Sequence, residues 1–196
     1  MGSPEITNPD KKLQLPRFEC TKCGACCRDD QILITVTKND LYRIAKTLEL
    51  DSNAVLRALD FYILDEGTPI PVGLEIIPSI ETEEGSAYVA LKKMENGDCI
   101  FLKDDQCMIH PIRPMVCRSF PFVFSEDDGE LSWGLSSKKG ICPGLGIGPM
   151  VSEEELISLA KEILRDLHAY RKFADEWNGQ PTSRTALGFV SKALVL

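Results

Sequence analysis

The sequence predicts an α+β fold: a small cysteine-rich metal-binding domain with short β-hairpins, N-terminal helices and a long C-terminal helix. Three observations predict it. Short β-branched and apolar runs in the middle of the chain are separated by turn dipeptides. Apolar residues recur at helical spacing behind start signals toward both ends. Eight cysteines stand at spacings that suit metal ligation.

Residues 1–16 (MGSPEITNPDKKLQLP) mix Pro, Gly, Ser, Asn and Lys without a usable hydrophobic period and read as a flexible arm. Residues 32–36 (ILITV) suit a buried strand, and Thr37 with Asp40 three positions later signals a helix start. In that helix Leu41, Ile44, Ala45 and Leu48 share one face, and a second helix is expected over about 51–59, capped by Asp51 or Ser52. Between 68 and 80, Pro69, Pro71, Pro78 and Gly73 permit only edge strand or irregular structure. Residues 87–94 (AYVALKKM) form the next strand, Asn96-Gly97 the hairpin turn, and 99–103 the returning strand, ended by Asp104 and Asp105. Another hairpin joins 120–124 to 131–135 around Asp127, Asp128 and Gly129. Ser152 and Glu155 make a capping box for the longest helix, whose stripe runs Leu156, Leu159, Ala160, Ile163, Leu164, Leu167, Tyr170 until Asn178-Gly179. The last eleven residues (ALGFVSKALVL) are apolar enough to dock on the body or on a partner. The expected organisation is an arm (1–16), a cysteine-rich metal- or cluster-binding domain (17–150) and a helical segment packed on it (151–196).

A chain of 196 residues with 43% hydrophobic content can bury a core, which excludes collagenous and wholly disordered classes. With 22 basic and 30 acidic residues the formal charge is −8, so there is no general footprint for nucleic acid or an anionic membrane. Only Lys11, Lys12, Arg17, Lys22 and Arg28 make the N-terminal stretch locally positive. No apolar run approaches the roughly 18–20 residues that span a bilayer, and residues 1–17 carry no secretion signal. The expectation is a soluble cytoplasmic protein whose thiols are reduced and available as ligands. No Ser/His/Asp set, HExxH motif, P-loop or framed carboxylate pair supports a hydrolase.

Cys20, Cys23, Cys26 and Cys27 write C-x2-C-x2-C-C. Two residues between thiols let a tight turn aim both sulfurs at one metal, with Gly24 freeing the backbone. The run resembles the first three ligands of bacterial ferredoxins, whose remaining cysteine precedes proline as Cys142 precedes Pro143. In extended backbone adjacent side chains point to opposite sides, so Cys26 and Cys27 suggest two sites or a multinuclear cluster. Cys99, Cys107, Cys117 and Cys142 would complete what the N-terminal four begin; burial as small hydrophobes is their other use. In residues 107–122 (CMIHPIRPMVCRSFPF), Arg113 and Arg118 flank Cys117, where fixed positive charge offsets a thiolate-bound centre, unless they form ordinary surface ion pairs. Gly144-x-Gly146-x-Gly148 lacks the strand and acidic residue of a nucleotide loop and reads as a flexible loop admitting backbone close to the cluster. His168, beside the helix stripe, reads as packing.

The chain resembles the CxxCxxCC proteins described as zinc- or iron-chelating and also labelled iron-sulfur-cluster-containing. The resemblance rests on C-x2-C-G-x-C-C at 20–27, ILITVTKNDLYRIA, CIFLKDDQC at 99–107, I-H-P-I-R-P-x-x-C-R at 109–118, F-P-F at 120–122 and C-P-G-L-G-I-G at 142–148. It implies that all eight cysteines are ligands and that Arg113, Pro114, Arg118 and Pro121 are motif positions. Many relatives carry tyrosine where His110 stands, so the resemblance gives this histidine no ligand role, although imidazole is a competent zinc ligand. All-thiolate ligation suits zinc and iron-sulfur alike. The ferredoxin-like run and the cysteine pair favour an iron-sulfur cluster, expected as 4Fe-4S, with zinc the alternative. A distant resemblance to the flagellin lysine N-methylases implies a link to S-adenosylmethionine-dependent methylation of protein lysines. Three readings follow: a cluster protein with a redox, electron-transfer or accessory role for a partner enzyme; a zinc-stabilised structural or interaction module; or a subunit or domain of a protein lysine methyltransferase.

Overall fold

The computed structural model describes residues 14–65, 67–70, 74, 76–127, 130–136, 139–181 and 184–195. The expected N-terminal arm, except residues 14–16, therefore lies outside the described residues, as do Pro71, Gly73, Asp128 and Gly129.

The fold is α+β and is assembled from short antiparallel pairings. Strand β1 (Arg17–Phe18) leads into the one-turn helix α1 (Ala25–Arg28). Residues 34–36 are buried but form only one bridge, Thr35 to Ala90, in place of the full strand expected. Two backbone hydrogen bonds, Val36 to Val89 and Leu91 to Ile34, complete their pairing before Thr37 turns the chain into α2 (Lys38–Leu48). The capping box is realised: the Thr37 hydroxyl accepts from the Asp40 amide while the Asp40 carboxylate accepts from the Thr37 amide. Leu41, Ile44 and Ala45 face the core, whereas Leu48, at the C-terminal turn, is exposed.

Helix α3 (Ser52–Arg57) starts from an Asp51 cap and ends earlier than expected, because Leu59 opens β2 (Leu59–Tyr62). β2 and β3 (Ile80–Thr82) flank β4 (Gly85–Leu91) in a three-stranded antiparallel sheet. Residues 87–91 of β4 are buried on both faces, which identifies the sheet centre. β3 is an edge, as the prolines before it require, and helix α5 covers it. The Asn96-Gly97 turn forms, but its ladder is a single Lys93–Cys99 bridge. The chain then makes a separate small hairpin, β5 (Leu102–Lys103) with β6 (Gln106–Cys107), whose turn residues Asp104 and Asp105 both take positive φ.

A 3₁₀ turn at His110–Ile112 and helix α4 (Met115–Ser119) lead to the hairpin β7 (Phe122–Asp127) and β8 (Glu130–Leu135). The glycine run differs from expectation: it is strand β9 (Leu145–Met150), paired with β1. Gly144, just before it, and Gly148 serve contact with the N-terminal segment. A Cβ on Gly144 would lie 2.3 Å from the Glu19 carbonyl oxygen, and one on Gly148, at φ +73°, would lie 2.4 Å from the Glu19 Cβ. Helix α5 (Glu153–Asn178) has the expected Ser152/Glu155 box and buries Leu156, Ala160, Ile163, Leu167 and Tyr170. His168 is exposed, one position off that stripe, and does not pack. At its far end Asn178 and Trp177 hydrogen-bond to the backbone of Ser79 and Glu81, closing the β3 edge. Helix α6 (Ala186–Ala193) docks its Phe189, Val190 and Ala193 inside, with the Phe189 ring against Phe173 and Trp177. No helix among the described residues is long and apolar enough to cross a membrane.

Candidate metal centre

Seven of the eight cysteines line one cavity of about 650 Å³, counting its solvent-open part, together with Phe18, His110, Arg113, Phe120 and Pro143. Four segments build it: the loop and helix from Phe18 to Cys27, the strand end at Cys107 with the turn at His110, helix α4 with its flanks, and the Cys142-Pro143 turn. Gly24, at φ +70°, turns the first segment. Its carbonyl accepts from the amides of Cys27 and Arg28, making α1 a single tight turn. Cys26 and Cys27 thus stand on a helical turn, where neighbours diverge by about 100° and both reach one cavity. The opposed directions expected of an extended chain do not apply to them.

The N-terminal segment is held from outside. Arg28 pairs with Asp105 at 2.6 Å and donates to the Cys23 carbonyl at 2.6 Å, which fixes the C-x2-C turn against the β5–β6 turn. A Cβ on Gly24 would lie 2.9 Å from the Asp105 carbonyl oxygen, so only glycine permits this approach. Lys93 donates to the carbonyls of Cys27 and Asp29, occupying the C-terminal end of α1. The Cys99 amide also donates to the Cys27 carbonyl, but buried Cys99 stands behind this wall and is not among the cavity-lining residues.

The thiols differ in acidity. A hydrogen bond from Cys27 lowers Cys26 to about 7 and Cys107 to about 6, burial opposing both; Cys27, which keeps the proton, is shifted upward. Burial pushes Cys99, Cys117 and Cys142 up. A set of soft sulfur donors, two with thiolate character, has the chemistry that iron and zinc take. Among the described residues no three His, Cys, Asp or Glu side chains are already gathered as a ligand group, so the sulfurs surround the cavity without meeting at a point.

The two arginines separate. Arg113 lines the cavity and donates to the carbonyls of Cys117 and His110. Its Nη1 is 3.2 Å from His110 Nδ1 and 3.1 Å from Nε2. Near-equal distances to both ring nitrogens place the guanidinium over the imidazole face, not along either lone pair. Arg118 is not among the lining residues; both its Nη atoms pair with Glu162 of α5, at 2.7 and 2.6 Å. That is the ordinary ion pair that was the other reading of this arginine. His110 borders the cavity with Nε2 3.7 Å from Cys20 Sγ, and burial followed by Arg113 lowers its pKa.

The sequence reading missed the long-range partners of Arg28, Lys93 and the pair Asp40/Arg43: Arg28 reaches the Asp105 carboxylate, the others backbone atoms of distant segments. Arg28 follows the cysteine pair directly and had a local signal. For the other three these contacts leave no local signal, because the partners lie 64 to 75 positions away.

No solved structure matches the chain. An uncharacterized protein of Methanocaldococcus jannaschii is 30% identical over 158 residues, covering 76% of this chain and 70% of that protein. The model of the CxxCxxCC family, described as a "Putative zinc- or iron-chelating domain", matches residues 19–143, from one residue before the first cysteine of the cavity to one after the last. With that span taking in seven lining cysteines and Cys99 behind them, the chain belongs to the CxxCxxCC family.

Proposed function

We propose that the protein holds an iron-sulfur cluster in the cysteine-lined cavity and serves a partner enzyme as a redox, electron-transfer or accessory component. One observation carries the reading: seven thiols from four separate segments, including an adjacent pair on one helical turn, face a single cavity. It exceeds the four thiolates that one tetrahedral ion takes, and four of the seven would ligate one 4Fe-4S cluster. Cys20, Cys23, Cys26 and Cys27 would supply one wall of ligands and Cys107, Cys117 and Cys142 the other. A bound cluster supplies one-electron transfer. The protein's own groups orient and shield the sulfurs: Phe18 and Phe120 form apolar wall, and Arg113 braces the Cys117 carbonyl. Cys20 is the exposed member of the set, so a partner approaches most closely there.

The zinc-stabilised module is the alternative, supported by the family's description, and a methyltransferase subunit is a third reading that rests on distant resemblance. Anaerobic purification with iron, zinc and acid-labile sulfide analysis and visible spectroscopy separates them. Iron with sulfide and absorbance that bleaches on reduction is expected. Stoichiometric zinc without sulfide overturns the cluster, and S-adenosylmethionine binding would favour the third reading.

A further inference from the structure

Helix α4 carries Cys117 but starts at Pro114, which offers no side-chain cap. Its first amide is nevertheless satisfied. Met115 N donates at 3.0 Å to Oδ1 of Asp40, a residue of α2 with no exposed surface. One carboxylate thus caps two helices, its own through the Thr37 amide and α4 through Met115. Arg43, one turn further along α2, pairs with the same Oδ1 at 2.6 Å and donates to the carbonyls of Ile112 and Arg113. The 112–115 bend is therefore gripped at its carbonyls by Arg43 and at its amide by Asp40. This bend places Arg113 in the cavity wall and starts the helix that presents Cys117. A buried carboxylate is costly unless its bonds are all used, and here each oxygen accepts from a named donor.

We propose that Asp40 and Arg43 are positioning residues of the metal centre, setting the Arg113–Cys117 segment at the distance from the N-terminal cysteines that loading requires. This rests on the metal-centre reading above. Residues outside the ligand set that orient ligands typically contribute ten- to a hundredfold to metal affinity.

The test uses the full chain, loaded anaerobically with iron(III), sulfide and excess thiol as reductant, or with zinc(II) if it rejects iron, then challenged with a chelator. Asp40→Asn removes one charged acceptor, and Arg43→Lys keeps the charge but loses the fork that reaches two carbonyls. Val190→Ala, a core truncation on α6 outside the cysteine segments, controls for general destabilisation. Both α2 variants are expected to melt cooperatively and to release metal at about ten- to hundredfold lower chelator concentration than wild type, with an altered visible spectrum for iron. Val190→Ala should retain metal like wild type even with a lower Tm. If Asp40→Asn fails to fold, Arg43→Lys carries the comparison. Wild-type retention in the folded α2 variants, or equal metal loss in Val190→Ala, overturns the positioning role alone. A wild-type chain that takes up neither iron nor zinc overturns the metal-centre reading and this inference with it.

Discussion

At the residue scale, glycine separates contact from conformation in a way two substitutions can measure. Gly144 and Gly146 both lie on or beside β9, yet a Cβ on Gly144 would strike the Glu19 carbonyl at 2.3 Å, whereas one on Gly146 meets nothing within 4 Å. Gly146 has φ +86°, so alanine there costs only the left-handed strain, about 1–2 kcal/mol. Gly144→Ala must instead push the strand off Glu19, next to Cys20. It is expected to lower both Tm and metal content, while Gly146→Ala lowers Tm slightly and leaves metal content intact; thermal melts with metal analysis check this. Cys23→Ser is expected to lower metal content and stability together, because loading and folding are coupled in a thiolate site. Normal metal content and melting in that variant would remove Cys23 from the ligand set.

At the element scale, one contact ties α5 to the cysteine-bearing body and another ties α6 to α5. The Arg118–Glu162 pair ties α4 to α5, and the arginine lowers the Glu162 pKa. A depressed folded pKa contributes stability above the carboxylate's ordinary pKa, and that contribution disappears as pH falls through the folded value. Because 43% of the Glu162 side chain is exposed, the pair is worth at most about 1 kcal/mol. Glu162→Gln should therefore lower Tm slightly at pH 7 and show a smaller loss than wild type on acidification, with the curves converging in acid. Phe189 is a stronger anchor. It has no exposed surface and meets Phe173 and Trp177 with centroids at 5.5 and 5.8 Å. Phe189→Ala is expected to cost about 3–5 kcal/mol, measured by denaturant unfolding, since α6 is too short to stand without that contact.

At the scale of the whole molecule, the cavity joins segments that no large sheet connects. β5–β6, β7–β8 and β1–β9 are separate two-stranded pairs, and isolated pairs are marginal in water. Ligands on or flanking these pairs would cross-link them, so metal removal should destabilise the cysteine-bearing half more than the β2–β4–β3 sheet with its helices. Hydrogen exchange on loaded and chelated protein checks this. Amides near Cys107, Cys117 and Cys142 should lose protection first, and uniform loss would contradict it.

Local chemistry carried much of this fold into the sequence. Thr37 and Asp40, Asp51, and Ser152 with Glu155 are caps whose donor and acceptor lie three positions apart, so α2, α3 and the 26-residue α5 start where their sequences say. The β7–β8 hairpin and the spacing of Cys20, Cys23, Cys26 and Cys27 were legible for the same reason. Strand β2 was not, because Leu59 continues a helical pattern until β4 supplies its partner. The glycine run read as a loop because pairing with two residues some 130 positions earlier leaves no local trace.

By itself, then, the sequence determined the α+β class, the helix starts and a cysteine set of metal-ligand chemistry, since each depends on neighbours a few residues apart. Only the tertiary structure decided which groups share the cavity: seven cysteines with Arg113 and His110 around it, Cys99 behind its wall, and Arg118 turned away to Glu162. It also decided that Asp40, read as a helix cap, reaches across 75 positions to the helix of Cys117. The physical reason is that a side chain's type fixes what it can bond, while the packing of distant segments fixes which partner it meets.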